Sequence, residues 1–417
     1  MPLKNFTTLT VSLVLSFLMG EFAWRMWTHG PNETTFTHRM MLFQYGENFQ
    51  NTSQIFKYFP NKVIRSVTLY STENPAEKSD IALEYDYLIH TNNAGLVMRQ
   101  DIDPVRSHLY IIGDSFTEGQ GATPWFYRLE ETENTKHEQL INAGLLGTGP
   151  SQWQLLVDQL VSAGSTHLVG AVINIIPYDL HRGVWNFNTR ELNCLRNLQC
   201  DYNFGFQGFD FSKHATEAEI LEAAILALKA SKSSARSDGR DNYLELVKEL
   251  LKRSKLLLEL NYLRHYLLRE IPANNKASEK NFTALLQLKE RFGGRVVVNV
   301  IAQKGMPADQ FQNHRDARSL LRFLESQNFD FFICDIPQEK FHKYDGHPDA
   351  SGYAYLEQCN ARGVNRIRVL FPKVQKDVAA DIESTTSGIN GSDFFTSSLP
   401  RVLDLLRQSF LGDFRAI

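Results

Sequence analysis

Residues 107–121 read SHLYIIGDSFTEGQG, and this stretch decides the fold. Leu109 to Ile112 is a four-residue apolar run, too short for a buried helix, so it reads as a strand covered on both faces. The strand runs into Gly113-Asp114-Ser115-Phe116-Thr117-Glu118-Gly119. A glycine-bounded serine where a strand turns into a helix stands exposed above the sheet edge, with the helix dipole and its unbonded amides directed at it. That is where an acyl-transfer nucleophile belongs, although a serine before a helix is also an ordinary N-cap.

The same grammar extends on both sides. Gln139 to Ala143, Leu168 to Ile176, Arg295 to Ile301 and Phe329 to Ile333 read as further buried strands. Amphipathic helices are expected over Pro124 to Glu131, Gln152 to Ala163, Asn281 to Phe292 and His314 to Asn328. Strands alternating with helices imply an α/β domain with a parallel sheet, placed at 106–370. Between the third and fourth strands, 183–290 forms a large helical insertion. One of its helices opens with the capping box Thr216-x-x-Glu219, and a second, Leu-rich helix runs from Tyr243 to Ile271. It reads either as a lid or partner-docking arm, an envelope protein being the partner class, or as helices packing on one another and the core. Residues 30–105 look extended and polar and read as a small N-terminal subdomain, within an N-terminal extension placed at 28–105. Residues 371–417 form a tail, with a linker over Asp381 to Ser392 and a short helix over Leu399 to Leu411.

The 417-residue composition, 43% apolar and 22% charged with a net charge of −3, excludes disordered, collagenous and polytopic membrane classes. The balanced charge gives no footprint for nucleic acid. Phe6 to Gly20 carries no charge, follows Lys4 and precedes Trp24 and Trp27, so 1–27 reads as an export signal or membrane anchor. An uncleaved anchor is the expectation, because Glu21 occupies a position where a signal-peptidase site wants a small residue; a cleaved signal with an atypical site is the alternative. The bulk of the chain is then outside the cytoplasm, where its four cysteines can pair. Cys194 and Cys200 close a short loop, and a strand with its following helix can bring Cys334 to Cys359; buried thiols are the other reading.

Beyond the last expected strand come Asp345-Gly346-His347-Pro348 and then Ser351-Gly352-Tyr353, opening a final helix. A histidine takes a serine proton efficiently when a carboxylate fixes its tautomer and stabilises the imidazolium. In a parallel sheet this loop and the Ser115 loop share the C-terminal edge, where ligands bind.

With these residues the sequence resembles the SGNH hydrolase superfamily, the GDSL esterases and lipases, over roughly 90–182 and 291–365, in its exported, membrane-anchored bacterial form. Gly113, Asp114 and Ser115 match the first block, Asn142 to Gln152 resembles the second with Gly147 as its glycine, and Asp345 and His347 resemble the last. Thr91 to Arg99 resembles the Asn-rich entry of exported members. The resemblance implies a flavodoxin-like three-layer fold, a Ser115, His347 and Asp345 triad, and an oxyanion hole from Ser115 and Gly147. Asp114, Asn142 and Asp179, in the three motif loops, are expected at the substrate. No cofactor is implied.

Two departures stand out. Tyr178 stands where the family carries an oxyanion asparagine, and Asn174, four residues earlier, should sit too deep to replace it. The hole is therefore expected to be completed by Tyr178 or by a group from the insertion. Asp345 also lies two residues before His347, where many members have three. His342 near Asp345 reads as polar surface rather than a metal ligand. Trp125, Phe126 and Tyr127 suit either sugar stacking or the core. The expected function is an extracytoplasmic serine ester hydrolase or O-acyltransferase acting on acyl esters, acetyl above all, of carbohydrate. Its alternative is a catalytically impaired SGNH-like polysaccharide-binding or assembly protein.

Overall fold

A computed structural model of the chain describes residues 38–43, 48–52, 55–72, 77–135, 137–189, 216–235 and 276–370, with isolated positions beside them. The central element is a five-stranded parallel sheet made of β6 (Ser107–Gly113), β7 (Glu138–Gly144), β8 (Leu168–Ile175), β9 (Val296–Ile301) and β10 (Asp330–Cys334). Its spatial order is β10-β9-β8-β6-β7, so the chain reverses direction across the sheet between β6 and β8. This is the flavodoxin-like order, and its switch point lies beside the end of β6, the strand that delivers Ser115. All five expected strands are present within one or two residues of their expected ends.

Helices cover both faces because the central strands are apolar on both. Ile111 lies opposite Val172 on one face and Tyr110 opposite Ala171 on the other. Helix α7 (Ala350–Leu370) lies on the Val172 face, so close that a Cβ on Gly363 would come within 2.9 Å of Val172. It packs there beside α2 (Phe126–Glu133). Helices α3 (Pro150–Ser162) and α5 (Lys276–Arg291) pack together, and Phe292, at the end of α5, meets Tyr110 on the opposite face with ring centroids 5.5 Å apart. Helix α6 (Arg315–Ser326) precedes β10. A disulfide joins Cys334 at the end of β10 to Cys359 in α7, the strand-to-helix pairing the sequence allowed.

The N-terminal extension is not the polar stretch its sequence suggests. Strands β1 (His38–Phe43), β4 (Val63–Ser71) and β5 (Ile81–His90) form an antiparallel sheet, and β2 (Phe49–Thr52) pairs with β3 (Ile55–Tyr58) as a hairpin. Alternation along β4 hides an apolar set among polar neighbours. Val67 and Leu69 join Ile81, Ile220, Ala224 and Ile225 in one cluster, while Ile64, Tyr85, Tyr87 and Ile89 face the main core. The cluster's other wall is α4 (Glu217–Ala235), the insertion's first helix, which starts at the expected capping box: Thr216 N–H donates to Glu219 and Glu219 N–H returns a bond to Thr216 Oγ1. This helix packs on the outer face of the N-terminal sheet.

The expected Tyr243–Ile271 helix, the Cys194/Cys200 loop, the C-terminal linker and its helix, and nearly all of the 1–27 anchor lie outside the described residues. Among the described residues no helix is long and apolar enough to cross a membrane.

Candidate active site

The site begins where β6 ends. Gly113 is required by close approach, since a Cβ there would lie 2.0 Å from Thr117 Oγ1 and 2.8 Å from the Asn174 carbonyl oxygen. Asp114 then caps a helix of one turn, α1 (Ser115–Glu118), by accepting from Phe116 N–H at 2.9 Å. One turn carries little dipole, so the electrostatic help expected from a longer helix is reduced to the local amides.

The last loop brings Asp345 and His347 to this turn. His347 Nε2 lies 2.8 Å from Ser115 Oγ, and His347 Nδ1 makes a short contact with Asp345 Oδ1. Asp345 Oδ1 also accepts the His347 backbone N–H at 3.0 Å, a bond within the loop that fits the two-residue spacing. Asp345 is 2% exposed and Ser115 4%. Chemically the chain can pass a proton from Ser115 Oγ to His347 Nε2 while the carboxylate holds the Nδ1 proton.

Gly147 takes a positive φ of 70° in the loop after β7, and the Trp185 indole donates to its carbonyl at 3.2 Å. Among the described residues neither the Ser115 nor the Gly147 amide has an acceptor. Ser115 is buried, and a buried amide calls for a partner, whereas Gly147 is exposed at the rim of the site. Tyr178 lies in the 3-10 turn after β8, 50% exposed, with its ring 5.5 Å from the Arg182 guanidinium. Asn174 does sit deep: it is fully buried, donates to Thr117 Oγ1 at 3.2 Å and accepts from Asn299 at 2.9 Å.

Three residues expected at the substrate are placed as internal struts. Asn142 is fully buried between the Val97 carbonyl, to which it donates at 2.8 Å, and the Gly144 N–H, from which it accepts at 2.9 Å. Asp179 is fully buried and accepts Ile176 N–H at 3.0 Å. Asp114 Oδ2 accepts from Arg182 Nη1 at 2.9 Å, and the same nitrogen donates to the Thr148 carbonyl at 3.1 Å. It also lies 3.0 Å from Asp179 Oδ1 without hydrogen-bond alignment. Burial, and after it the charge of Asp114, holds the Asp179 carboxyl well above the ordinary range. Burial opposes the Arg182 charge, yet the Asp179 and Asp114 carboxylates outweigh it and raise its pKa.

Four residues bearing on the site carry no motif. Glu118, fully buried, accepts from Tyr58 OH at 2.7 Å and from Leu146 N–H at 2.8 Å, so it holds the loop that carries Gly147. Burial pushes its carboxyl up to about 7, against the pull of these two donors. Arg182 links the Ser115 turn to that loop. Tyr70 and Tyr85 donate to Asp345 Oδ2 at 3.1 and 3.2 Å. Glu118 lies in the stretch around Ser115 and Arg182 three residues after Asp179, but neither position by itself marks a role, and nothing local marks the two tyrosines.

Trp125, Phe126 and Tyr127 are core, at most 2% exposed, and the Trp125 indole donates to the Phe116 carbonyl. His342 Nε2 meets the Gly121 carbonyl oxygen at 2.8 Å. Among the described residues no group of three or more His, Cys, Asp or Glu side chains is placed to hold a metal ion.

No protein-family model matches the chain, and no curated protein matches it. Among solved structures it is similar to a catalytic mutant of an acetylxylan esterase from Geobacillus stearothermophilus, at 10% identity over 62% of this chain and 94% of that one, with a TM-score of 0.32. It is also similar to a psychrotrophic esterase from Pseudoalteromonas sp., at 10% identity over 62% of this chain and 97% of that one, with a TM-score of 0.31. A member of the lipolytic G-D-S-L family from Veillonella parvula shares 12% identity over 61% of this chain and 97% of its own, with a TM-score of 0.28.

Proposed function

We propose that this chain is a serine-dependent ester hydrolase or O-acyltransferase of SGNH type. Ser115 Oγ attacks the acyl carbonyl carbon and His347 Nε2 takes its proton. The carbonyl oxygen becomes an oxyanion met by the Ser115 and Gly147 amides, with Tyr178 on the rim as the third donor. Collapse breaks the ester bond, the leaving alcohol oxygen takes the proton from His347, and the acyl group stays on Ser115. Water or an acceptor hydroxyl then repeats the attack with His347 as base. The observation that carries this reading is the unbroken run from Asp345 through His347 to Ser115, with Nε2 2.8 Å from Oγ, at the C-terminal edge of a parallel sheet.

The substrate class we propose is an acyl ester of carbohydrate, acetyl above all. That part rests on the motif resemblance and on the reading of residues 1–27 as an export signal or membrane anchor. The anchor at Phe6 to Gly20 would hold the domain outside the cytoplasm, periplasmic in a two-membrane envelope, and the Cys334–Cys359 bridge is at home in such a compartment. The Leu-rich stretch Tyr243 to Ile271 is a candidate surface for an envelope partner. Tyr178 in place of an asparagine favours a second reading, a binding or assembly protein without turnover.

Turnover of p-nitrophenyl acetate by the full chain, beside Ser115→Ala and His347→Ala, tests the proposal. Activity lost by about 10³-fold or more in both variants is the expected result. Equal background rates in all three proteins would overturn it in favour of the binding reading.

A further inference from the structure

The N-terminal sheet lies outside the parallel-sheet domain, yet one of its faces bears on Asp345. Along the β4–β5 pair, Ser66 opposes Tyr87 and Thr68 opposes Tyr85, and then the register shifts so that Leu69 opposes Leu83. Glu84 is the extra residue of a β-bulge. Such a bulge breaks the two-residue alternation and re-aims the side chains around it. Leu83 and Leu69 therefore remain on the outer face against α4, while Tyr85 turns inward toward the main core.

The bulge and its neighbours hold Asp345 from several directions. Glu84 Oε1 accepts the backbone N–H of Tyr344 at 2.6 Å and of Asp345 at 3.2 Å. Tyr85 and Tyr70 hydroxyls donate to Asp345 Oδ2, and Gln120 Nε2 donates to the Tyr85 hydroxyl at 2.8 Å, which turns its proton toward the carboxylate. Lys304 Nζ donates to the Asp345 carbonyl at 3.2 Å. The carboxylate thus divides its work: Oδ1 serves His347, and Oδ2 is filled by two phenols from a different sheet. A carboxylate with donors on one oxygen is fixed in rotation and is a weaker base at the other.

We infer that Tyr70 and Tyr85 are positioning residues that hold Asp345 on His347 and temper its pull on the imidazolium, making the N-terminal sheet a working part of the active site. The inference rests on the acyl-transfer reading above. The titratable groups around the pair are Glu84 and Tyr87 from the sheet, Lys304 after β9, His342 and Tyr344 from the Asp345 loop, and Tyr353 from α7. Tyr→Phe substitutions leave all of these in place.

The test is p-nitrophenyl acetate kinetics against pH with the full chain carrying Tyr70→Phe, Tyr85→Phe or both, and Tyr87→Phe as a neighbouring control. We expect kcat to fall about tenfold in each single variant and about a hundredfold in the double, with KM within about twofold. The acidic limb of kcat/KM should move up by about one pH unit, because Asp345 with fewer donors holds the imidazolium more tightly. The control should match wild type. A folded double variant with wild-type kcat and an unmoved limb would overturn the inference while leaving the acyl-transfer reading intact. A second readout needs no turnover: the low-field proton NMR signal of the His347 to Asp345 hydrogen bond should shift or broaden in the double variant. An unchanged signal would overturn the inference even in a chain that hydrolyses nothing. A shifted signal in a chain without activity would support the holding role and sink the acyl-transfer reading alone.

Discussion

Replacing Glu118 with glutamine should stabilise the protein at neutral and alkaline pH and leave it nearly unchanged in acid. Glu118 is fully buried beside the nucleophile turn, and burial raises its carboxyl from 4.5 to about 7. Below about pH 4.5 the folded and unfolded chains both hold the proton, so the group costs nothing. Between about 4.5 and 7 the unfolded chain ionises while the folded chain keeps its proton, and stability falls as pH rises. Above about 7 the full penalty remains, about 3 kcal/mol at roughly 1.4 kcal/mol per pKa unit. The amide that replaces the carboxyl keeps an acceptor for Leu146 N–H and offers a donor to the Tyr58 oxygen, so both contacts survive without a charge. Thermal unfolding of wild type and Glu118→Gln from pH 4.5 to 8.5 measures the difference. The variant's advantage should grow to about 3 kcal/mol, on the order of 5–10 °C in Tm. A difference that stays flat across this range would refute the assignment of a buried, proton-holding Glu118.

Two further predictions concern the frame of the site. Arg182→Ala removes the cation shared by the buried Asp114 and Asp179, and should cost about 3 kcal/mol at pH 8. The deficit should shrink as pH falls and the Asp179 carboxyl, held well above the ordinary range by burial, takes up its proton; a pH-independent deficit in denaturant titrations would show that the cation is not its counterweight. Opening the Cys334–Cys359 bridge, which closes a 25-residue separation, should cost about 3 kcal/mol, read as a drop in the denaturation midpoint of Cys334→Ser/Cys359→Ser. An unchanged midpoint would mean that the bridge does not form.

The parallel sheet was legible because its strands are short continuous apolar runs, and such runs are explained by burial on both faces. VVVNVI over Val296–Ile301 is buried at every position. The Ser115 turn was legible as a compact motif at the end of a strand, and the Asp345/His347 pair as a compact motif in the loop beyond the last strand. The N-terminal sheet was not, since VIRSVTLYS over Val63–Ser71 alternates apolar and polar residues and its polar half dominates a first reading. The tyrosines on Asp345 could not be read either: Tyr70 is 275 residues from its partner, and the bulge that turns Tyr85 inward is set by pairing between strands. Asn142 and Asp179 were read as substrate contacts from their motif positions, yet Asn142, near the end of β7, and Asp179, in the 3-10 turn after β8, are each taken up by buried backbone groups beside them. The insertion's first helix carries a local cap signal that placed its start, while nothing in its sequence said that it would cover the N-terminal sheet.

The central claim is that Ser115 is an activated nucleophile whose proton passes to His347. It is tested most directly by treating the full chain with a fluorophosphonate and locating the adduct by peptide mass spectrometry. The account predicts one adduct, on Ser115, formed rapidly in wild type and lost in His347→Ala. A folded wild-type chain that takes no label, or takes it equally fast without His347, would contradict it.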